Sequence, residues 1–143
     1  ACPPLVARRG GFIVGVCGMA PPGTCQGTPA LMLRMVPGLI RIGPAATSRM
    51  VRWMNRWKAQ DPKERHWHLG PVAVEPAAQG MTIGSQMMER FCAHVDGLGE
   101  MAYLETEKPE NVRFYERFGF ATVAEAEVIG CHNWFMRREP RER

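Results

Sequence analysis

The sequence predicts an α/β fold: a mixed, mostly antiparallel sheet with one central parallel strand pair and flanking helices. Two hairpins are the first observation, because β-rich runs lie on either side of Gly10-Gly11 and of Gly130. The second is the order strand, helix, strand, helix between His66 and Gly119. A strand–helix–strand crossover makes a parallel pair whereas hairpins make antiparallel ones, so the sheet is predicted to be mixed.

In the first half of the chain, Leu5–Arg9 and Phe12–Met19 are the β-rich runs that predict the first hairpin. The prolines and glycines of residues 20–28 predict a loop. Residues 29–60 have the weakest pattern, and only their second part, 46–60, predicts a helix. The residues that recur there at three- and four-residue steps are Met50, Trp53, Met54 and Trp57.

The second half has clearer signals. His66–Val74 is rich in strand formers and is interrupted by Gly70-Pro71. A turn over 76–83 opens a helix that runs to about Asp96, since an apolar stripe follows the turn and glycines end it. The remaining predicted elements are a strand over 101–105, a short helix over 109–117 and a hairpin formed by 121–129 and 131–137.

Length and composition limit the classes of protein that this chain can belong to. Its 143 residues are 45% hydrophobic and 22% charged, as in a globular domain, so we expect a single domain over residues 1–143. No apolar run is long enough to span a bilayer. The net charge of +4 suits an anionic ligand, but the dense tail at 137–143 alternates in sign and is typical of a solvated end. We therefore expect no nucleic-acid or membrane partner. The start of the sequence has no pattern of a secretory signal, so a cytoplasmic location is expected.

The cysteines and histidines predict no metal site. The five cysteines form no CxxC pair, and their odd number favours reduced thiols. His66 and His68 lie two residues apart, as do Cys92 and His94, but neither pair is joined by the spaced second pair of a structural zinc site. We interpret these residues as packing residues and expect no metal.

The segment from Val72 to Ser85 is the most informative about chemistry. It is a strand whose end turns directly into a helix N-terminus, where unpaired backbone N–H groups and the helix dipole favour an anion. Gly80 and Gly84 lack side chains, so a bulky anion can approach the backbone. The segment has neither the P-loop pattern nor that of a dinucleotide-binding loop. From this segment alone, a phosphate-binding turn and a plain packed turn are equally good interpretations.

A second segment follows the strand end at Leu104-Glu105 and reads Asn111-Val-Arg-Phe-Tyr115-Glu-Arg-Phe-Gly-Phe120. Together with Val74-x-Pro76-x-x-Gln79-Gly80-x-x-Ile83-Gly84, it resembles the GNAT superfamily of acyl-CoA-dependent N-acetyltransferases. The usual signature of that family is an Arg/Gln-x-x-Gly-x-Gly/Ala loop followed later by a Phe/Leu-Tyr-x-x-x-Gly-Phe helix end. The resemblance is strongest over residues 69–120.

The resemblance implies that the two parallel strands splay apart and hold acetyl-CoA between them. The pantetheine arm would pair with the first strand, where a β-bulge is usual and Gly70-Pro71 marks its place. The pyrophosphate would lie on the amides of the following turn, and the amide of Ala73 or Val74 would stabilise the oxyanion. The implied cofactor-binding residues are Val72, Ala73, Val74, Gln79, Gly80, Met81, Thr82, Ile83, Gly84, Ser85, Lys108 and Asn111.

The resemblance also implies a catalytic acid. Tyr115 matches the general acid of the family, since a phenol can give its proton to the leaving thiolate; packing with a hydrogen-bonded hydroxyl is the alternative. The base varies among family members. From its place at the end of the second parallel strand, Glu105 is the best candidate, acting directly or through water, and Glu75 is second. For either carboxylate, a solvated strand end is an equally good interpretation.

The chain departs from the family pattern at three places. Thr82 stands where the family usually has a glycine. If the backbone there needs a positive φ, threonine is strained; if the backbone is already helical, the hydroxyl adds a donor to a phosphate. Lys108 stands where many members have a capping asparagine, so Asn111 would supply the amide contact instead. The strand and helices that usually precede the first hairpin are missing, which predicts an N-terminally truncated domain. Either the chain is a fragment or segment 29–60 fills that space.

The resemblance therefore predicts transfer of an acetyl group from acetyl-CoA to a primary amine, by direct attack in a ternary complex. No cysteine lies in a motif beside a base, so an acyl-enzyme has no support. A non-catalytic GNAT-like module that binds CoA is the alternative. The acceptor is a small-molecule or peptide amine; Trp53, Trp57 and Trp67 would line its pocket, although core packing is the simpler interpretation. Sheet-edge dimers are common in the family, so a homodimer is an open expectation.

Overall fold

The computed structural model describes residues 2–25 and 27–141, and in this part of the chain six strands form one sheet with three helices packed on it. The strand order is β1-β2-β3-β4-β6-β5, and only β3 and β4 are parallel. The elements are β1 (Leu5–Arg9), β2 (Phe12–Ala20), α1 (Pro29–Gln60), β3 (His66–Val74), α2 (Ile83–Leu98), β4 (Met101–Thr106), α3 (Pro109–Glu116), β5 (Ala121–Val128) and β6 (Cys131–Arg138). The predicted α/β class and mixed sheet are confirmed. No disulfide joins the described cysteines.

The two faces of the sheet carry different helices. Successive side chains of a strand point to opposite faces, so Trp67 of β3 faces α2 while His66 and His68 face α1. On the α1 face, the hydroxyl of Tyr103 donates to the carbonyl of Gln60 at 3.0 Å. The α2 face holds the main core, which includes Cys17, Leu69, Met87, Met88, Phe91, Val95, Leu104 and Met136.

Helix α1 is longer than its sequence pattern predicts. It begins at Pro29, and the side chain of Thr28 caps it. Gly43, with φ 84°, divides it into two parts, and Pro37 interrupts the apolar period of the first part, which is why only 46–60 predicts a helix. No residue of α1 is buried. No helix in the described part of the chain, α1 included, is long and apolar enough to cross a membrane.

The parallel pair opens towards its C-terminal end. Pairing between β3 and β4 covers only His66 to His68 on β3, although β3 continues to Val74. On the other side of β3, Gly18 of β2 lies opposite Gly70-Pro71, so two residues face one and the predicted β-bulge is confirmed. A Cβ on Gly18 would lie 3.2 Å from Cδ of Pro71, so this contact favours glycine. The splayed parallel pair is therefore confirmed.

The tail is less solvated than its sequence predicts. Arg138 is only 3% exposed, and its guanidinium donates to both carboxylate oxygens of Asp96, at 2.6 and 2.8 Å, and to the carbonyl of Phe118. The expectation of a solvated end is therefore wrong at Arg138, because β6 carries it beneath α2. The hydrogen bond from Arg138 holds the pKa of Asp96 below its usual value. Residues 142 and 143 of the tail lie outside the described part.

Candidate active site

A cavity of about 530 Å³ opens on the α2 face of the sheet, where β3 leaves β4. The residues expected to bind a cofactor that line it are Val72, Val74, Gln79, Gly80, Thr82, Ile83, Gly84, Ser85 and Asn111, together with Tyr115, Ala78 and Phe114. Ala73, Met81 and Lys108 are exposed and lie outside its lining. Most of the predicted cofactor residues are therefore brought to one cavity.

The turn from β3 into α2 leaves a row of backbone N–H groups without acceptors. The amides from Gly80 through Ser85 make no hydrogen bond to any described residue, whereas the flanking amides of Gln79 and Gln86 donate to the carbonyls of Pro76 and Thr82. The first turn of α2 contains no acidic residue. Because such amides and the helix dipole both attract negative charge, this turn can bind an anion.

Thr82 has an unusual backbone conformation in this turn. Its φ of 60° and ψ of 4° lie in the left-handed region, where a β-branched residue is strained. Its hydroxyl donates to the carbonyl of Met81 at 2.6 Å and accepts from Nε2 of Gln86 at 3.0 Å. Of the two backbone states that the sequence leaves open at this position, the strained one is present.

The free edge of β3 turns main-chain groups towards the same cavity. The amide of Glu75 donates to the carbonyl of Val14 in β2 at 2.9 Å, and amide directions alternate along an antiparallel strand. Ala73 therefore pairs with β2, while the N–H of Val74 points away from β2 to the open side. Nε2 of Gln79, which donates to the carbonyl of Val74 at 3.2 Å, lies on that open side. This alternation favours Val74 over Ala73 as an oxyanion donor.

Tyr115 reaches the cavity from α3. Its ring packs against those of Phe114 and Phe120, and its hydroxyl makes no hydrogen bond to any described residue. Burial raises the pKa of Tyr115, and the nearby Cys17 and Glu107 raise it further. The phenol is therefore protonated at neutral pH and has a proton to donate.

A second cavity, of about 480 Å³, lies on the α1 face. Trp53 and Trp57, with ring centroids 4.3 Å apart, form part of its wall, and Asp61, His68 and Glu105 lie at the end of α1 and on the sheet. The further residues that line it are Cys25, Gly27, Met32, Val51, Met54, Asn55 and Lys58.

Trp67 does not line the second cavity. It faces α2 and packs edge-to-face on His94, with centroids 4.8 Å apart. The expectation that all three tryptophans line one pocket is therefore wrong for Trp67, because the alternation of β3 turns it to the other face.

Glu105 is held at the second cavity by His68. Nε2–H of His68 donates to Oε2 of Glu105 at 2.8 Å, and the Glu105 side chain is only 5% exposed. Burial opposes the charged form of His68, but the hydrogen bond and charge of Glu105, together with Asp61, raise its pKa above the usual value. Glu75, the second candidate base, is exposed and lines neither cavity.

The structure also brings together a cluster that the sequence pattern does not predict. Cys25, Asp61, His66 and His68 each place one ligand-type atom within 4.8 Å of the others. Spacing along the chain could not reveal it, because the residues come from the loop after β2, the end of α1 and β3. The only signal was the spacing of the two histidines, which is ambiguous by itself.

The splayed sheet and the amide-lined turn beside it define an acyltransferase fold, and comparison with known proteins identifies the family. The model of the acetyltransferase (GNAT) family matches residues 1–120. The chain belongs to the GNAT acetyltransferase family.

Three solved structures illustrate the similarity. The first, described as histone acetyltransferase HPA2 and related acetyltransferase from Corynebacterium glutamicum, is 21% identical with a TM-score of 0.64, over 96% of this chain and 64% of that one. Naa20 from Chaetomium thermophilum, in complex with a bisubstrate analogue, is 17% identical with a TM-score of 0.59, over 94% and 64%. An acyl-CoA N-acyltransferase from Pseudomonas aeruginosa is 20% identical with a TM-score of 0.57, over 94% and 66%. The chain thus spans less than two thirds of the length of each.

Proposed function

We propose that this chain is an N-acetyltransferase that transfers the acetyl group of acetyl-CoA to a primary amine by direct attack. One observation carries the proposal: the α2-face cavity combines the amides of Gly80–Ser85, the outward N–H of Val74 and the hydroxyl of Tyr115. An anion cradle, an oxyanion donor and a proton donor are the groups that aminolysis of a thioester needs. Membership of the GNAT family supports acyl transfer in general.

In this proposal the cofactor lies along β3 and ends at the turn. Its pantetheine arm pairs with the outward main-chain groups of Val72, the N–H of Val74 is left for the oxyanion, and its diphosphate accepts hydrogen bonds from the turn. Nδ2 of Asn111 donates to Oγ1 of Thr106 at 3.0 Å, which leaves the amide oxygen of Asn111 as an acceptor for the cofactor. Lys108 is exposed outside the cavity lining, so its contribution is at most a charge near the phosphates.

The proposed chemical step is aminolysis of the thioester of acetyl-CoA. The amine nitrogen attacks the thioester carbonyl carbon, and the N–H of Val74 stabilises the oxyanion, a contribution of about 10²- to 10³-fold. As the C–N bond is retained and the C–S bond breaks, Tyr115 gives its proton to the thiolate of CoA. Glu105, directly or through water, accepts the proton that the amine loses, and solvent exchange restores both groups.

The acceptor enters from the α1 face in this proposal. Glu105 and His68 line the second cavity where pairing between β3 and β4 ends, so a thioester in the gap lies next to this cavity. Trp53 and Trp57 offer aromatic surface, and Glu105 offers negative charge. This combination suits a cationic amine with an apolar body, carried by a small molecule or a peptide.

The variant Ser85→Asp tests the role of the turn. A carboxylate in the first turn of a helix is favourable by about 0.3–1 kcal/mol, so we expect the variant to melt no lower than the wild type. The same carboxylate faces the diphosphate. Repulsion between charges 4 Å apart near a protein surface is about 4 kcal/mol, so even after screening we expect the CoA affinity measured by calorimetry to fall at least about tenfold.

Ser48→Asp is the matched control, because it makes the same substitution at an exposed serine of α1 that lines neither cavity. We expect it to weaken CoA binding much less than Ser85→Asp does. Equal CoA affinity of Ser85→Asp and wild type would contradict the proposed cradle. CoA binding without thiol release against a panel of amines would favour the non-catalytic module, and a wild type that binds no CoA would exclude both functions.

A further inference from the structure

We propose that Cys25, Asp61, His66 and His68 form a zinc site that fastens the C-terminal end of α1 to the sheet. The four residues lie on the α1 face, apart from the cavity proposed for the cofactor. They come from three separate segments, and His66 is 5% exposed while Asp61 is 12% exposed. A metal here would link segments that are distant in the chain.

Three of the separations between the ligand atoms are close to those of tetrahedral zinc. With bonds of about 2.0 Å to nitrogen or oxygen and about 2.3 Å to sulfur, the ligand atoms of such a site lie roughly 3.3–3.8 Å apart. Oδ1 of Asp61 lies 3.3 Å from Nε2 of His66 and 3.7 Å from Nδ1 of His68. Sγ of Cys25 lies 3.9 Å from Nε2 of His66. Every pair of ligand atoms lies within 4.8 Å, so closure around an ion needs shifts of about 1 Å or less.

Hydrogen bonds outside the cluster orient both histidines as ligands. Nδ1–H of His66 donates to the carbonyl of Glu64 at 2.8 Å, and Nε2–H of His68 donates to Glu105 at 2.8 Å. In the neutral rings, the lone pairs of the other two nitrogens then face Asp61. Nδ1 of His68 is buried and has no hydrogen-bond partner among the described residues. Acceptors placed behind the rings in this way are the usual outer shell of metal-bound histidines.

The chemistry of the donors selects the metal. A thiolate and two imidazoles are softer than the all-oxygen ligand sets of calcium and magnesium, and together with a carboxylate they suit zinc. The thiolate of Cys25 and the carboxylate of Asp61 also balance the charge of a divalent ion. In the alternative arrangement no metal is bound, and protonated His66 and His68 donate hydrogen bonds to the carboxylate of Asp61.

The C-terminal end of α1 is only weakly attached to the rest of the fold. Helix α1 has no buried residue, and few side-chain bonds hold its end, such as that from Nε1 of Trp57 to Oδ1 of Asn133 at 3.2 Å. A zinc ion on Asp61 would tie this end to β3 and to the loop at Cys25. Because Asp61 and His68 also line the second cavity, the ion would set the shape of that part of its wall.

The test uses the full chain, expressed with zinc and purified without chelator. We expect elemental analysis to find zinc in stoichiometric amount. The stripped protein, titrated with Co²⁺, should give the intense visible bands of tetrahedral coordination and a thiolate-to-metal band. Cys25→Ser should lose the thiolate band and bind zinc at least about 100-fold more weakly. Cys131→Ser, which removes an exposed thiol outside the cluster, should match the wild type in both measurements.

Two results would overturn the site. One is a wild type that neither retains zinc nor gives Co²⁺ bands, which would leave the bridging protons as the explanation of the cluster. The other is a Cys25→Ser variant that matches Cys131→Ser in zinc affinity and in spectrum. Neither readout needs acetyl-CoA or an amine, so failure of the metal site is distinguishable from failure of the proposed acetyl transfer.

Discussion

Tyr115→Phe removes a single hydroxyl from the α2-face cavity. That hydroxyl has no partner among the described residues, so its loss leaves no buried group unpaired, and the ring keeps its contacts with Phe114 and Phe120. We therefore expect the free energy of unfolding to change by less than about 0.5 kcal/mol. Affinity for CoA, measured by calorimetry, should also stay close to that of the wild type.

The expected loss of turnover follows from the state of this phenol. General acids contribute about 10²- to 10⁴-fold, and burial raises the pKa of Tyr115, which makes it a weaker acid towards a thiolate with a reference pKa near 8.5. The lower end of the range is therefore expected, a fall in kcat of about 100-fold or 2.7 kcal/mol. Initial rates of thiol release, measured across the pH range with saturating amine, report it.

Tyr103→Phe is the matched control, since the chain has two tyrosines. Its hydroxyl donates to the carbonyl of Gln60, so its loss should cost about 1 kcal/mol of stability while kcat per folded molecule stays the same. Full activity of Tyr115→Phe at every pH would refute the acid role. An equal loss of kcat in both variants would assign the effect to general disturbance of the fold.

Further outcomes concern the backbone and the buried ion pair. Thr82→Gly removes about 1–2 kcal/mol of left-handed strain and costs about 0.5–1 kcal/mol in backbone entropy. Urea unfolding should therefore show a gain in stability of up to about 1.5 kcal/mol, and a loss would contradict the strain. Val74→Pro should leave the protein folded and lower kcat about 10²- to 10³-fold, whereas Ala73→Pro should mainly lower Tm, because it removes a hydrogen bond to β2. Equal losses of Tm would show that both amides donate within the sheet. The hydrogen bond from Arg138 lowers the pKa of Asp96 below the usual 3.8. The ion pair therefore stabilises the fold at neutral pH, and this stabilisation is lost as the pH falls through the lowered pKa. Asp96→Asn should therefore be less stable than the wild type at neutral pH and should lose less stability on acidification. If the variant lost as much stability with falling pH as the wild type, the ion pair would be excluded as the cause of that loss.

The sequence by itself determined the features that depend on neighbouring residues. Glycines between β-rich runs are enough to predict the two hairpins, and a proline within a strand is enough to mark the bulge at Gly70-Pro71. The strand–turn–helix from Val72 to Ser85 is contiguous, so its residues line one cavity almost as expected. Tyr115 lines the same cavity, and its place on a short helix was predictable because residues 109–120 form a contiguous motif. The catalytic roles of these residues stay predictions.

Only the tertiary structure decided what depends on distant residues. The outward direction of the Val74 N–H follows from the register with β2, and the burial of Arg138 follows from Asp96, which lies 42 positions away in the chain. Cys25 meets His66 across 41 positions. Propensity, periodicity and turn chemistry act within a few residues, whereas such meetings arise when separate elements pack on one sheet. No spacing along the chain records that packing.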